Sequence, residues 1–200
     1  MASRRARTTH MASVLAMLVA ALAVGACAGN AGVRTIRGDW SGYSPTYLQY
    51  AASKGSLPTL VRGEAVSGAK GDEFAGRVLG AMKDRPLGVG PISFEAMTPA
   101  SDKPPLFVSM IFNPDPSFDS VAACDPIRAD RAGGPARPDG TTRGVAAFCS
   151  SQRLLSGTVG EAGALSGAAD PKFDELVRLV MIDLFPQRDP NIGPGCTSCP

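Results

Sequence analysis

The residues best suited to chemistry stand near the end of the chain, where two cysteines are separated by two residues. Cys196 and Cys199 form the motif Cys-Thr-Ser-Cys within residues 193–200. Such a pair can exchange thiols and disulfides, bind a metal, or form a structural disulfide. Redox pairs of this spacing normally open a helix that lowers the thiol pKa, whereas only Pro200 follows Cys199. We therefore expect a structural disulfide, with a thiol–disulfide protein as one alternative.

Histidine is almost absent, and this restricts the possible chemistry. The only histidine is His10, close to the N-terminus. Residues 27–200 therefore lack the groups needed for Ser-His-Asp or Cys-His catalysis and for His-ligated zinc. A hydrolase that uses two carboxylates and acts on envelope polymers is a second alternative, since paired carboxylates work without histidine. Spacing singles out no such pair, so we predict no catalytic residue, no metal site and no cofactor.

The N-terminal segment has the parts of an export signal. Arg4, Arg5 and Arg7 precede an uncharged, largely apolar run at residues 11–24. This run is shorter than the roughly 20 apolar residues that a membrane-crossing helix needs, and it ends in small residues, as secretory signal peptides do. Residues 1–26 are therefore predicted to be a signal peptide.

Residues 24–27 read Val-Gly-Ala-Cys, which resembles the lipobox of bacterial lipoproteins. The resemblance implies cleavage before Cys27, lipid on its sulfur, and attachment to a membrane through that lipid. The alternative is an ordinary signal peptide cut nearby, with Cys27 as a free thiol. Ala28 follows Cys27, whereas an Asp at this position favours inner-membrane retention in enteric members of the family. We therefore expect a lipid-anchored envelope protein that faces the periplasm, with the outer membrane favoured over the inner.

The charge balance gives no reason to expect nucleic acid as a partner. Removal of residues 1–26 removes three Arg and no acid, so Lys+Arg falls from 20 to 17 against 18 Asp+Glu. The net charge accordingly changes from +2 to −1. A chain without net positive charge has no general electrostatic attraction for nucleic acid.

The remaining cysteines predict disulfides in an oxidising compartment. With Cys27 lipidated, an even set is left: Cys124, Cys149, Cys196 and Cys199. Four exported cysteines are typical of two disulfides, and three pairings are possible. The simplest pairs Cys124 with Cys149 and Cys196 with Cys199.

An aromatic cluster around a predicted helix is the other candidate site. It holds the single Trp and all three Tyr of the chain: Trp40, Tyr43, Tyr47 and Tyr50. Ser44-Pro45 is typical of a helix start, and Gly55 of a helix end. Such aromatics either bind a sugar or an apolar ligand or pack the helix onto the domain, and we favour packing because aromatics dominate protein cores.

The hydrophobic pattern predicts the remaining elements. Helices are predicted at residues 45–54, from residue 71 to before Pro86, and from Asp170 to about Phe185. Strands are predicted at residues 57–62, 91–97, 106–112 and 145–155, with a turn or weak strand at 156–169. Residues 113–143 form a long loop rich in Pro, Gly, Asp and Arg. We predict an α+β fold: an antiparallel sheet of about four strands with two or three helices packed on it. The single domain spans residues 40–190, between a tether at 27–39, which begins with the lipidated Cys27, and a Cys-containing tail at 191–200.

Three segments of the mature part resemble proteobacterial envelope lipoproteins of unassigned activity. They are the Phe-x-x-Arg-Val-x-x-Ala-Met helix at residues 74–82, the strand end Ile-Phe-Asn-Pro at 111–114, and residues 170–190. These motifs are mainly structural, and the resemblance implies no activity. The sequence therefore predicts a structural or binding module anchored in the envelope, with another envelope protein as a possible partner.

Overall fold

The computed structural model describes residues 32–68, 71–83, 87–98, 104–167 and 169–191. The signal peptide, the lipobox with Cys27, and the tail cysteines Cys196 and Cys199 lie outside these residues, so what the sequence indicates about them stays a prediction. Within the described segments, no helix is both long enough and apolar enough to cross a bilayer.

The described residues form a six-stranded sheet and four helices. The strands are β1 Val33–Asp39, β2 Ser56–Arg62, β3 Ser93–Ala96, β4 Leu106–Phe112, β5 Thr142–Ser150 and β6 Arg153–Ala162. The helices are α1 Pro45–Lys54, α2 Gly71–Met82, α3 Pro126–Asp130 and α4 Pro171–Leu184, and a 3-10 turn spans Ala122–Cys124.

The α+β prediction is confirmed, but the predicted sheet of about four antiparallel strands is wrong. The strand order is β1-β6-β5-β4-β2-β3, and β2 runs parallel to both β3 and β4. The other neighbours are antiparallel. The parallel part arises because α2 connects β2 to its neighbour β3, and parallel neighbours need a crossover of this kind.

Strand β1 lies inside the segment that the sequence analysis assigned to the tether, so the predicted tether of residues 27–39 is too long. β1 pairs only with β6 among the described strands and is an edge strand of the sheet. It carries Arg34 and Asp39, and charged residues are usual on edge strands. Those charges hide the hydrophobic alternation by which a strand is recognised in the sequence.

The predicted strand at residues 145–155 is in fact a hairpin of β5 and β6. Ser151 and Gln152 form its two-residue turn, and Ser151 has a φ of 53°. Tight hairpin turns require positive φ and usually use Gly or Asn for it. Because this turn contains neither, the sequence does not show where one strand ends and the next begins.

Strand β6 extends to Ala162, through residues that the sequence analysis assigned to a turn or weak strand. Its glycines are explained by close packing, since α4 lies directly on the strand. A Cβ at Gly160 would lie 2.7 Å from Leu176 Cδ1 and from Val180 Cγ2. Glycine in a strand often marks such a close approach.

The predicted helices are confirmed together with their caps. Ser44 Oγ accepts a hydrogen bond from the backbone N–H of Thr46 at the start of α1, and Gly55 ends that helix with a φ of 79°. Asp170 caps α4 by accepting from the N–H of Lys172 at 2.9 Å. Short polar side chains at the cap satisfy backbone donors that have no partner inside the helix.

Helices α1, α2 and α4 cover one face of the sheet. Their apolar side chains pack on alternate residues of the central strands. The ring of Phe112 on β4 lies 5.1 Å from that of Phe74 on α2 and 6.0 Å from that of Phe173 on α4, measured between ring centres. These helix–sheet contacts form the larger part of the core.

The segment between β4 and β5 covers the opposite face and contains both the 3-10 turn and α3. The predicted loop at residues 113–143 is therefore a folded layer, and its last two residues already belong to β5. Cys124 in this layer forms a disulfide with Cys149 on β5, with their Cα atoms 5.5 Å apart. The expected Cys124–Cys149 pair is thus present, and it fastens the layer to the sheet.

Candidate functional site

The predicted cysteine sites fall into two groups. Cys124 and Cys149 are completely buried and bonded to each other, so they serve the fold. Cys27, Cys196 and Cys199 lie outside the described residues. Among the residues that the structure describes, no group of three or more His, Cys, Asp or Glu side chains is placed to hold a metal ion.

The aromatic cluster consists of three residues that are buried or partly buried against the core and one exposed residue, Tyr50. Tyr43 is 3% exposed, and burial together with the nearby Asp189 carboxylate raises its pKa to about 12. Trp40 packs against the core and donates a hydrogen bond from Nε1 to the backbone oxygen of Asp183. Tyr47 is half-buried and Tyr50 is 48% exposed. Packing therefore explains Trp40 and Tyr43 and part of the Tyr47 ring, whereas the Tyr50 ring is available for binding.

Tyr47 and Tyr50 line a pocket of about 550 Å³ between α1 and the nearby ends of β4 and β5. We call it the tyrosine pocket. The spacing of three residues places both rings on the outer side of α1, while Leu48 and Ala51 face the core. The remaining lining residues are small or polar, together with one buried leucine: Ser44, Thr46, Pro105, Leu106 and Ser150.

Two cations accompany the two rings. The Arg153 guanidinium carbon lies 5.7 Å from the centre of the Tyr47 ring, and Nη2 of Arg153 donates a hydrogen bond to Tyr47 Oη at 2.5 Å. Lys54 Nζ lies 5.3 Å from the centre of the Tyr50 ring. None of the described residues that line the pocket is acidic. The pocket therefore combines aromatic surface with hydroxyl groups, and two cations that are not among its lining residues lie against its rings.

The tyrosine pocket lies at the end of the sheet that is far from the start of β1. At one end of the sheet, Val33 of β1 pairs with Ala162 of β6, and Ala162 also pairs with Thr142 of β5. At the other end of the β5–β6 hairpin, Ser150 pairs with Arg153. At about 3.3 Å per residue, the length of β5 separates the two ends by about 26 Å.

A second groove lies beside β1 and has a volume of about 400 Å³. Arg143 reaches it and donates a hydrogen bond from Nη2 to the Phe118 backbone oxygen at 3.2 Å, whereas its buried Nη1 has no partner in the described part of the chain. Burial lowers the pKa of Arg143. The carboxylates of Asp39 and Asp119 line the same groove. Because its charges are of both signs, this groove indicates no class of ligand as clearly as the tyrosine pocket does.

Comparisons of the chain with protein-family models, with curated proteins and with solved structures gave no significant match. A function must therefore be inferred from the residues of the chain itself.

The sequence analysis found the tyrosines of the pocket but not its cations. Lys54 lies four residues after Tyr50, so the helical spacing alone would have placed the two side chains together. Arg153 is 106 residues from Tyr47 and reaches it from the first residue of β6. Because the strand boundary at Arg153 was not recognised, no signal in the sequence connected these two residues.

Proposed function

We propose that this chain is a lipid-anchored binding module of the bacterial cell envelope, attached through Cys27 and facing the periplasm. The observation that carries the proposal is the position of the tyrosine pocket, at the end of the sheet opposite the start of β1. An anchored protein that binds a partner in the envelope needs its binding surface directed away from its own membrane, and this arrangement provides it.

The disulfide between Cys124 and Cys149 supports the export of the chain. Both cysteines are completely buried, and disulfides of this kind persist in oxidising compartments and are rare in the cytosol. The lipobox at residues 24–27 adds the anchor, and Ala28 after the cysteine favours the outer membrane. Two or more acyl chains hold a protein on a membrane far more firmly than one.

The segment between anchor and domain is short. Because β1 begins at Val33, only five residues, 28–32, lie between its start and Cys27. The six residue steps from Cys27 to Val33 span at most about 20 Å when fully extended. The domain is thus held close to the membrane surface, and the length of the sheet carries the pocket beyond it.

The test is metabolic labelling with an alkyne-bearing fatty acid in bacteria that express the full chain. We expect label on the wild-type protein, no label on Cys27→Ala, and full label on the matched control Cys196→Ala. Mass spectrometry should find the acyl groups on an N-terminal Cys27, and density-gradient separation should place the protein with the outer membrane. Undiminished labelling of Cys27→Ala would refute the anchor.

The described residues supply no observation that favours the two alternatives, a thiol–disulfide protein using Cys196 and Cys199 or a His-independent hydrolase.

A further inference from the structure

We infer that the tyrosine pocket binds an acidic saccharide, namely pyranose rings that carry carboxylate groups. The inference rests on the proposed function, because the choice between a saccharide and a membrane surface uses the proposed anchor, whereas the binding itself is measured separately from acylation. Three observations carry it: the exposed ring of Tyr50, the hydroxyl groups that line the pocket, and two cations beside its rings that have no acidic partner among the described residues.

The aromatic surface is suited to a sugar ring. Tyr50 is one of the few large apolar or aromatic side chains that the described surface exposes, and it lies next to Tyr47 on the same side of α1. The face of an aromatic ring is electron-rich, so the weakly positive C–H groups on the face of a pyranose pack favourably against it. The Arg153 contact holds Tyr47 in place, which reduces the entropy lost on binding.

The charge of the pocket selects an acidic ligand. Neither Lys54 nor Arg153 forms a salt bridge in the part of the chain that the structure describes. Both therefore remain able to pair with a carboxylate, and hydrogen bonds between ionised partners are about twice as strong as those between neutral groups. A neutral sugar would leave these cations unused.

Hydroxyl groups complete the match to a saccharide. Ser44, Thr46 and Ser150 line the pocket, and each hydroxyl can both donate and accept a hydrogen bond. Sugar hydroxyls have the same dual capacity, whereas an acidic peptide offers mainly carboxylates and backbone amides. The volume of about 550 Å³ lies within the range of about 300–1,000 Å³ that is usual for ligand pockets.

An anionic lipid headgroup shares the negative charge but fits the position of the pocket poorly. Strand β5, which ends at the tyrosine pocket, begins near Val33, at the end of the domain nearest the proposed anchor. A protein held by that end directs the pocket away from its own bilayer. We therefore assign the pocket to an acidic saccharide and not to a membrane surface.

The experiment measures binding of three probes to the full chain, purified in detergent, by isothermal titration calorimetry. The probes are tetragalacturonate, neutral maltotetraose, and N-acetylated, amidated tetraglutamate, which carries four carboxylates without sugar rings. We expect tetragalacturonate to bind at least about tenfold more tightly than either of the others, because only it engages both the rings and the cations.

Variants then assign the binding to individual side chains. Tyr50→Ala should weaken tetragalacturonate binding about fivefold, whereas Tyr50→Phe, which keeps the ring, should change it less than twofold. Lys54→Gln and Arg153→Gln should each weaken binding about fivefold to tenfold. The control Arg34→Gln removes an exposed cation at the other end of the sheet and should have no effect.

Several outcomes would overturn the inference. Equal binding of tetraglutamate would show that charge alone is recognised, and equal binding of maltotetraose would show that the cations are not used. Absence of tetragalacturonate binding, or binding that survives both Tyr50→Ala and Lys54→Gln, would exclude the pocket. The titration uses purified protein, so its failure is distinguishable from a failure of acylation, which the labelling experiment reports separately.

Discussion

Asn113 and Arg143 join the ends of two neighbouring strands through two hydrogen bonds. The backbone N–H of Arg143 donates to Asn113 Oδ1 at 2.9 Å, and the N–H of Asn113 donates to the Arg143 backbone oxygen at 2.7 Å. Asn113 Nδ2 also donates to the backbone oxygen of Glu64 at 2.7 Å, beyond the end of β2. One side chain therefore fixes the point where β4 passes into the layer that covers the second face of the sheet.

Substitution of Asn113 should destabilise the domain strongly, because this turn residue is buried. Asn113→Ala removes both side-chain bonds in a buried site, including the one that satisfies the Arg143 N–H, so we expect a loss of about 2–3 kcal/mol in the free energy of unfolding. The φ of 48° at Asn113 adds to the cost, since asparagine tolerates this conformation better than alanine. Urea unfolding measures the loss, with exposed Gln49→Ala as control; a change below about 0.5 kcal/mol would contradict the role of Asn113.

Loss of the Cys124–Cys149 disulfide should loosen the layer between β4 and β5. We expect Cys124→Ala/Cys149→Ala to lose roughly 3 kcal/mol, because the bridge closes a loop of 25 residues. Limited proteolysis of the variant should give first cuts within residues 113–141. Reduced wild-type protein should behave in the same way, and a variant as resistant as the oxidised wild type would show that the bridge does not hold the layer.

Addition of one methyl group to β6 should have the opposite effect to the same addition on α2. Gly160→Ala places a Cβ against buried Leu176 and Val180, so we expect a loss of about 1–3 kcal/mol from overpacking. At Gly80 nothing lies within 4 Å of the added Cβ, and Gly80→Ala should stabilise the helix by about 0.5–1 kcal/mol. Thermal unfolding of the two variants should show melting temperatures that move in opposite directions.

The cap of α4 should contribute to acid sensitivity. Hydrogen bonds from the backbone N–H groups of Ser166 and Lys172 lower the pKa of Asp170 below its usual 3.8. A carboxylate whose pKa is lower in the folded state stabilises the fold above its unfolded pKa, and this contribution is lost as the pH falls through the folded pKa. Asp170→Asn keeps an acceptor at the cap but cannot titrate.

We therefore expect the difference in unfolding free energy between wild type and Asp170→Asn to vanish below the folded pKa of Asp170 and to be largest above pH 5. Urea unfolding at a series of pH values measures this difference. As a control, Asp170→Ala should cost about 1 kcal/mol at neutral pH because it removes the cap itself. A difference between wild type and Asp170→Asn that is constant with pH would show that the Asp170 charge does not stabilise the helix.

The parts of the fold that the sequence predicts well are those with local signals. The apolar stripe and the caps of α1 and α4 depend on neighbours within a few residues, and the seven residues of β4 form a nearly continuous apolar run. The mixed sheet could not be predicted because the pairing of β2 with β4 joins residues that are far apart in the chain. Strand β6 was obscured by Gly157 and Gly160, whose small size is required by contacts from Ser120 and from α4.

The candidate site likewise contains residues that local sequence signals identify and residues that are brought in from distant parts of the chain. Tyr47, Tyr50 and Lys54 belong to one helix, and their spacing is readable from the sequence. Ser150 lines the tyrosine pocket and Arg153 contacts Tyr47 only because of the β5–β6 turn, where Ser151 takes the positive φ that glycine usually supplies. The positive and aromatic character of the pocket is therefore a property of the folded chain, although its two rings can be named beforehand.

Strand β1 determines how a tethered domain would bear force. A pull on the chain before Val33, resisted by a polymer held at the tyrosine pocket, acts along the strands. The hydrogen bonds between β1 and β6 run across that direction, because antiparallel ladders bond perpendicular to their strands. They are then strained together in shear and are not opened one after another from an end. If the chain is anchored through Cys27 and binds a polymer as proposed, this edge of the sheet would resist tension between the membrane and that polymer.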